Sequence, residues 1–147
     1  MTNPSKSINS NPIRLLLVDD EKDFVNILSK RIKRRNIDVA KAFSGAEAIQ
    51  ALRGQEFDVA VLDLKMEDMN GIEVLKMLKI MDPHLAVIML TGHGSAEAAE
   101  QGIKLGAFDY LAKDLKKARS IGVVFIDRFS SVTTRGDVVE STGKFDS

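Results

Sequence analysis

The sequence predicts an α/β fold, a doubly wound parallel sheet of five strands flanked by five helices. Three observations predict it. Short apolar runs alternate five times with segments whose apolar residues recur at helical spacing. Strands separated by helices in this way run parallel, and their crossovers are right-handed in nearly all proteins. The runs themselves are apolar at successive positions, which marks strands covered on two faces rather than one.

In chain order, residues 1–12 are rich in Ser, Asn and Pro and read as a flexible leader. The fold begins at Ile13, with a strand over 13–18 and a helix over 21–33 that puts Phe24, Ile27, Leu28 and Ile32 on one face. A second strand spans 37–40, and Ser44 stands with Glu47 in capping-box spacing at the start of a helix over 45–53. The third unit pairs a strand at 59–62 with a helix at 70–81 that Pro83 closes. The fourth pairs a strand at 86–90 with a helix at 95–105, where Gly106 is placed as a C-terminal stop. A fifth strand over 108–112 leads to Asp114 and a final helical stretch to about residue 129. One domain over 13–130 and a polar tail over 131–147 follow from this division.

Composition narrows the function. Lys plus Arg and Asp plus Glu number 21 each, so no global field attracts nucleic acid, and direct nucleic-acid binding is not expected. The absence of cysteine excludes disulfides, thiolate nucleophiles and Cys-ligated zinc, and suits a cytoplasmic location. No apolar run approaches the length of a membrane span, so no membrane partner is expected. The basic cluster of Lys30, Arg31, Lys33, Arg34 and Arg35 falls at a helix end, where it suits the helix dipole and reads as solvated. His84 and His93 are too few and too scattered for a metal site.

In a sheet of this kind ligands bind outside the carboxyl ends of the strands, where strand order reverses. The residues there are Asp19 and Asp20 after the first strand, Asp63 after the third, Thr91 after the fourth and Lys113 after the fifth. Singly, each has an ordinary reading: acids and Thr91 cap helices, and Lys113 is solvated. Independent caps do not produce joint placement at the ends of four strands. Three convergent carboxylates repel one another, and a hard divalent cation such as Mg2+ resolves the repulsion. A lysine and a hydroxyl beside that cation supply partners for phosphoryl oxygens, which is the equipment for phosphoryl transfer with Asp63 as nucleophile.

Four segments carry a resemblance: Leu15-Leu16-Leu17-Val18-Asp19-Asp20-Glu21; Val61-Leu62-Asp63-Leu64-Lys65-Met66 running on to Met69-Asn70-Gly71; Leu90-Thr91-Gly92-His93-Gly94; and Gly106-Ala107-Phe108-Asp109-Tyr110-Leu111-Ala112-Lys113. With them the chain resembles the receiver domains of two-component response regulators from residue 13 to about 114. The resemblance implies the flavodoxin-like strand order 2-1-3-4-5. It implies that Asp63 accepts a phosphoryl group, with Mg2+, from a histidine kinase or phosphotransfer protein. Asp20 would be a direct metal ligand and Asp19 a nearer or water-mediated helper, with the Lys65 main-chain carbonyl completing the set. Lys113 would pair with the phosphoryl group, Thr91 would turn toward it, and Tyr110 would change rotamer in response. Such a domain is a regulatory phosphoacceptor that assists its own phosphorylation and dephosphorylation, not an enzyme acting on a separate substrate.

The chain departs from the family pattern twice. Glu67 follows Met66 where the family usually has proline, which is expected to loosen the loop without touching the chemistry. Asp114 stands where the family usually has a proline in a cis peptide; without proline that bond costs about 2.5–4 kcal/mol, so Lys113 is expected to be held differently. Two other classes compete. One is a docking module whose lysine Asp114 misplaces. The other is an aspartyl-phosphate-forming phosphatase of haloacid-dehalogenase type, which wants a second aspartate two residues after the first, where this chain has Glu21 and Lys65. Lys65 and His93 flank the path of an attacking water and are expected to influence dephosphorylation. In the final stretch Leu115, Ala118, Ile121, Gly122, Phe125, Phe129 and Val132 would face the sheet, leaving Val123, Val124 and Ile126 as an apolar contact patch, although Val123 to Ile126 also suits an extended segment. That patch would serve a homodimer or an output partner on the surface of the fourth helix, fifth strand and fifth helix, where the resemblance also points.

Overall fold

Leu15 and Leu17 enter one core while Leu16 and Val18 enter another, so the first strand has no polar face. The computed structural model describes residues 12–33, 36–92 and 96–113. Within them the chain runs β1 (Ile13–Val18), α1 (Lys22–Lys33), β2 (Ile37–Ala42), α2 (Gly45–Gly54), β3 (Val59–Asp63), α3 (Gly71–Met81), β4 (Ala86–Thr91), α4 (Ala96–Lys104) and β5 (Asp109–Ala112). All strand pairs are parallel and the order is β2-β1-β3-β4-β5, as expected. Four helices lie among the described residues. The stretch expected to form a fifth, with Val123, Val124 and Ile126, lies outside them, as do His93, Asp114, residues 1–11 of the leader and the tail. Among the described residues no helix is long and apolar enough to cross a membrane.

The sheet separates two cores. Phe24, Val25, Leu28 and Ile32 of α1 pack on Leu15, Leu17, Val61 and Ile88. On the opposite face α2 contributes Ala48, α3 contributes Val74, Leu75 and Leu78, and α4 contributes Ala99, against Leu16, Leu62 and Met89. Each fully buried large apolar side chain contributes about 1.5–3 kcal/mol, which is what holds the loops above the sheet in place. One expected core position differs: Ile27 is 43% exposed and Val25 is buried instead. The sheet accepts the stripe centred on Leu28 and Ile32, and Ile27 sits on its margin.

Three helix ends position the loops of interest. Ser44 Oγ accepts the Glu47 amide at 3.0 Å, and Glu47 Oε1 reaches back to the Phe43 amide at 2.8 Å, one residue before the usual capping-box partner. Asn70, expected as the first helical residue, is the N-cap of α3, with its Oδ1 accepting the Ile72 amide at 2.7 Å. Gly106, at φ +108, ends α4: its amide donates to Ile103 and the Ala107 amide to Gly102, the paired bonds of a Schellman stop. A β-carbon on Gly71 would overlap the Leu64 backbone, so only glycine lets α3 begin directly against the residue after Asp63.

Candidate functional site

The chain leaves β1 for the outer strand β2 and returns across the sheet to β3, so strand order reverses between β1 and β3. Asp19 follows β1 and Asp63 ends β3, one on each side of that reversal. Asp19 is 0% exposed and Asp63 is 4% exposed, whereas Asp20 is only partly buried. One carboxylate oxygen from each of Asp19, Asp20 and Asp63 lies within 4.8 Å of the others.

Lys113 enters from the end of β5. Its amide donates to the Thr91 carbonyl at 2.7 Å, extending the β4–β5 ladder to the sheet edge. Its Nζ donates to Asp19 Oδ1 at 3.0 Å and to Asp63 Oδ2 at 3.4 Å, and pairs with the Glu21 carboxylate. The Phe24 ring centroid lies 5.1 Å from Nζ, so the ammonium rests over an aromatic face. Burial opposes the Lys113 charge, but the hydrogen bonds to Asp19 and Glu21 and the fields of Asp19 and Asp63 outweigh it and hold the group above the usual lysine range.

The remaining hydrogen bonds come from the main chain. Asp19 Oδ1 accepts the Glu21 amide at 3.0 Å, Asp63 Oδ1 accepts the Lys65 amide at 3.3 Å, and Asp20 Oδ2 accepts the Glu67 amide at 3.1 Å. These do not balance the charge, because the carboxylates of Asp19, Asp20, Glu21 and Asp63 gather around one ammonium. Burial raises the Asp63 carboxyl to about 7, with the neighbouring Asp19 charge adding to the shift. Burial likewise raises Asp19. Both Asp19 oxygens lie against Lys113 Nζ, Oδ2 at 2.8 Å, so one ammonium is shared among Asp19, Glu21 and Asp63. Three carboxylate oxygens within 4.8 Å of one another, with more negative charge than one ammonium balances, fit a hard divalent cation of the Mg2+ type.

Of the residues expected at the site, Asp19, Asp20, Asp63 and Lys113 come together. Thr91 ends β4 on the same edge, and its hydroxyl donates to the Leu111 carbonyl at 3.4 Å. Tyr110 lies on β5 opposite Met89 and is 48% exposed. Lys65 is exposed beside Asp63. Lys113 reaches the cluster even though Asp114 replaces the family's proline, so the expectation of a differently held lysine does not extend to loss of these contacts.

At Glu67 the structure adds a contact that a proline could not make: its amide donates to Asp20 at 3.1 Å. Two further residues escaped sequence reasoning. Glu21 read only as part of a helix start, and the signal that it does more is its adjacency to Asp19 and Asp20. Asp68 is the other: its carboxylate accepts the Gly45 and Ala46 amides at the start of α2, a contact that no local spacing signals.

A family profile described as "Response regulator receiver domain" matches residues 15–124. The transcriptional regulatory protein ZraR of Escherichia coli (strain K12) is 38% identical over 103 residues, covering 70% of this chain and 23% of ZraR. The chain therefore spans well under half of that relative. Among solved structures, a response regulator receiver domain protein from Clostridium thermocellum superposes with a TM-score of 0.70 at 30% identity, covering 78% of this chain and 92% of the other. NtrX from Brucella abortus gives a TM-score of 0.71 at 27% identity, covering 80% of this chain and 26% of NtrX.

Proposed function

This chain belongs to the response-regulator receiver domain family, and from that premise we propose that it is a two-component switch that accepts a phosphoryl group on Asp63, with Mg2+, from a histidine kinase or phosphotransfer protein. The observation that carries the reading is the nearly sealed Asp63 carboxylate, set beside Asp19 and Asp20 with the Lys113 ammonium within 3.4 Å. That reach also favours a working switch over a docking module with a misplaced lysine. The matched span 15–124 supports a receiver domain over 13–130, flanked by the leader and tail segments. A cytoplasmic location belongs to the same proposal.

Asp19, Asp20, Asp63 and the Lys65 carbonyl would hold Mg2+, which when bound neutralises the crowded carboxylates and the phosphoryl oxygens. In the transfer, an Asp63 carboxylate oxygen bonds to phosphorus as the phosphorus–nitrogen bond of the donor phosphohistidine breaks. The bonding pair leaves with the imidazole, which takes up a proton. Asp63 must be ionised to attack, and Lys113 supplies the fixed positive charge on its own side of the site. Once the phosphoryl group is in place, Lys113 exchanges a carboxylate contact for a phosphoryl oxygen. Thr91 exchanges its bond to the Leu111 carbonyl for another. Because Thr91 and Leu111 belong to paired strands, that exchange loosens one tie between β4 and β5 beside Tyr110. Exposed Ile103, Leu105 and Tyr110 on α4, the turn after it and β5 supply an apolar surface for a second copy or an output partner.

Intact-mass measurement after incubation with acetyl phosphate and Mg2+ tests the assignment. One phosphoryl mass is expected on the wild type and on the exposed-site control Asp38→Ala, and none on Asp63→Asn. Asp20→Ala should label far more slowly. Equal labelling of wild type and Asp63→Asn refutes the proposal.

A further inference from the structure

We propose that Asp68 is a positioning residue for this site: its carboxylate clamps the loop between β3 and α3 onto the N-terminus of α2, and so holds the Glu67 amide against Asp20. The inference rests on the reading of Asp63 and Asp20 given above. Both ends of the loop are held by main-chain bonds, since the Leu64 amide donates to the Leu90 carbonyl at 3.2 Å and the Gly71 amide to the Leu64 carbonyl at 3.1 Å. Lys65 and Asn70 face each other in an antiparallel bridge. In the tip, residues 66–69, Met66 and Met69 are partly buried against the core while Glu67 and Asp68 are exposed.

At that tip Asp68 accepts the Gly45 amide through both carboxylate oxygens, at 3.1 and 3.0 Å, and the Ala46 amide at 3.3 Å. With the Glu47 amide on Ser44 Oγ, the first three amides of α2 all have acceptors, two of them supplied from a different part of the chain. The helix dipole favours a carboxylate there over a neutral acceptor. Shape adds to charge: a β-carbon on Gly45 would stand 2.8 Å from Met69 Sδ, so the bare start of α2 is what lets the loop close on it. Glu67, next to Asp68, then presents its amide to Asp20 Oδ2 at 3.1 Å. Met66 and Met69 seat the tip against the core, and the clamp adds the polar contact that sets the height of Glu67 beside Asp20.

Mg2+ affinity of the full chain, titrated by calorimetry without a phosphodonor, separates this role from a merely structural one. The proteins are wild type, Asp68→Ala, Asp68→Asn and Ser44→Ala, the last removing a cap from the same helix while leaving the clamp. Asp68→Ala is expected to weaken Mg2+ binding about tenfold, the low end of what losing outer support costs a metal site. Ser44→Ala should leave the affinity unchanged although both substitutions lower the urea midpoint. Asp68→Asn, which keeps an acceptor but loses the charge, should show a smaller loss in the same direction, and it decides the matter if Asp68→Ala does not fold. Wild-type affinity in both Asp68 variants, or an equal loss in Ser44→Ala, overturns the inference alone. No Mg2+ binding to the wild type overturns the metal reading and this inference with it.

Discussion

Replacing Asp63 by asparagine should make the metal-free protein more stable, although the proposed chemistry requires that aspartate. Burial first, then the charge of Asp19, raises its carboxyl from 3.8 to about 7. A group whose native pKa lies above its unfolded value binds its proton more tightly in the folded state. Its stabilising contribution is therefore fully present below about pH 4 and is lost as pH rises through about 7. At about 1.4 kcal/mol per pH unit, the span from 3.8 to about 7 amounts to about 4 kcal/mol of charging cost. Asp19 shifts in the same direction, also through burial, and both carboxyls draw on the one ammonium. The part recovered by Asp63→Asn is therefore on the order of 2 kcal/mol at neutral pH. Lys113 does not disturb this window, because its native pKa is raised and its contribution is lost only above the ordinary lysine range.

Urea unfolding followed by circular dichroism, in EDTA at about pH 5 and about pH 7.5, measures the effect. The wild type should lose stability between the two, and Asp63→Asn should lose less and be the more stable protein at the higher pH. Adding Mg2+ should stabilise the wild type by binding its native state and should do little for the variant. If Asp63→Asn is no more stable than the wild type in EDTA at the higher pH, or if the gap between them does not narrow on acidification, the electrostatic account of the site is refuted.

Two further outcomes follow from the same contacts. Lys113→Met should destabilise the metal-free protein by about 3 kcal/mol, because Asp19 would lose its ion-pair partner in a fully buried position, and Mg2+ should recover part of the loss; unfolding curves matching the wild type would contradict this. Ile103→Glu with Tyr110→Glu should abolish any self-association that the phosphorylated wild type shows by sedimentation, and association that persists in the double variant would place the contact elsewhere.

Much of the fold was legible because its central strands are buried on both faces. Such strands are apolar at successive positions, as at Leu15–Val18 in β1, Val59–Leu62 in β3 and Ala86–Leu90 in β4, so their parallel sense followed from alternation with helices, while their order came from the family resemblance. The capping pair Ser44 and Glu47 and the stop at Gly106 were legible for the same local reason, since each bond spans a few residues. Asp19, Asp20, Asp63, Thr91 and Lys113 could also be placed on one edge, because parallel strands deliver their C-terminal ends to the same side. The burial of Asp19 beside a partly exposed Asp20, the pairing of Glu21 with Lys113, the Glu67 amide on Asp20 and the Asp68 clamp on α2 were not. Each depends on how closely two loops approach after separate helices have packed. Periodicity reports which face of an element is buried, but it carries no information about the distance between loops at the edge of the sheet. Those distances are set by packing, as where Gly45 leaves room for Met69 and Gly71 lets α3 close on Leu64, and they decide which amide reaches which carboxylate.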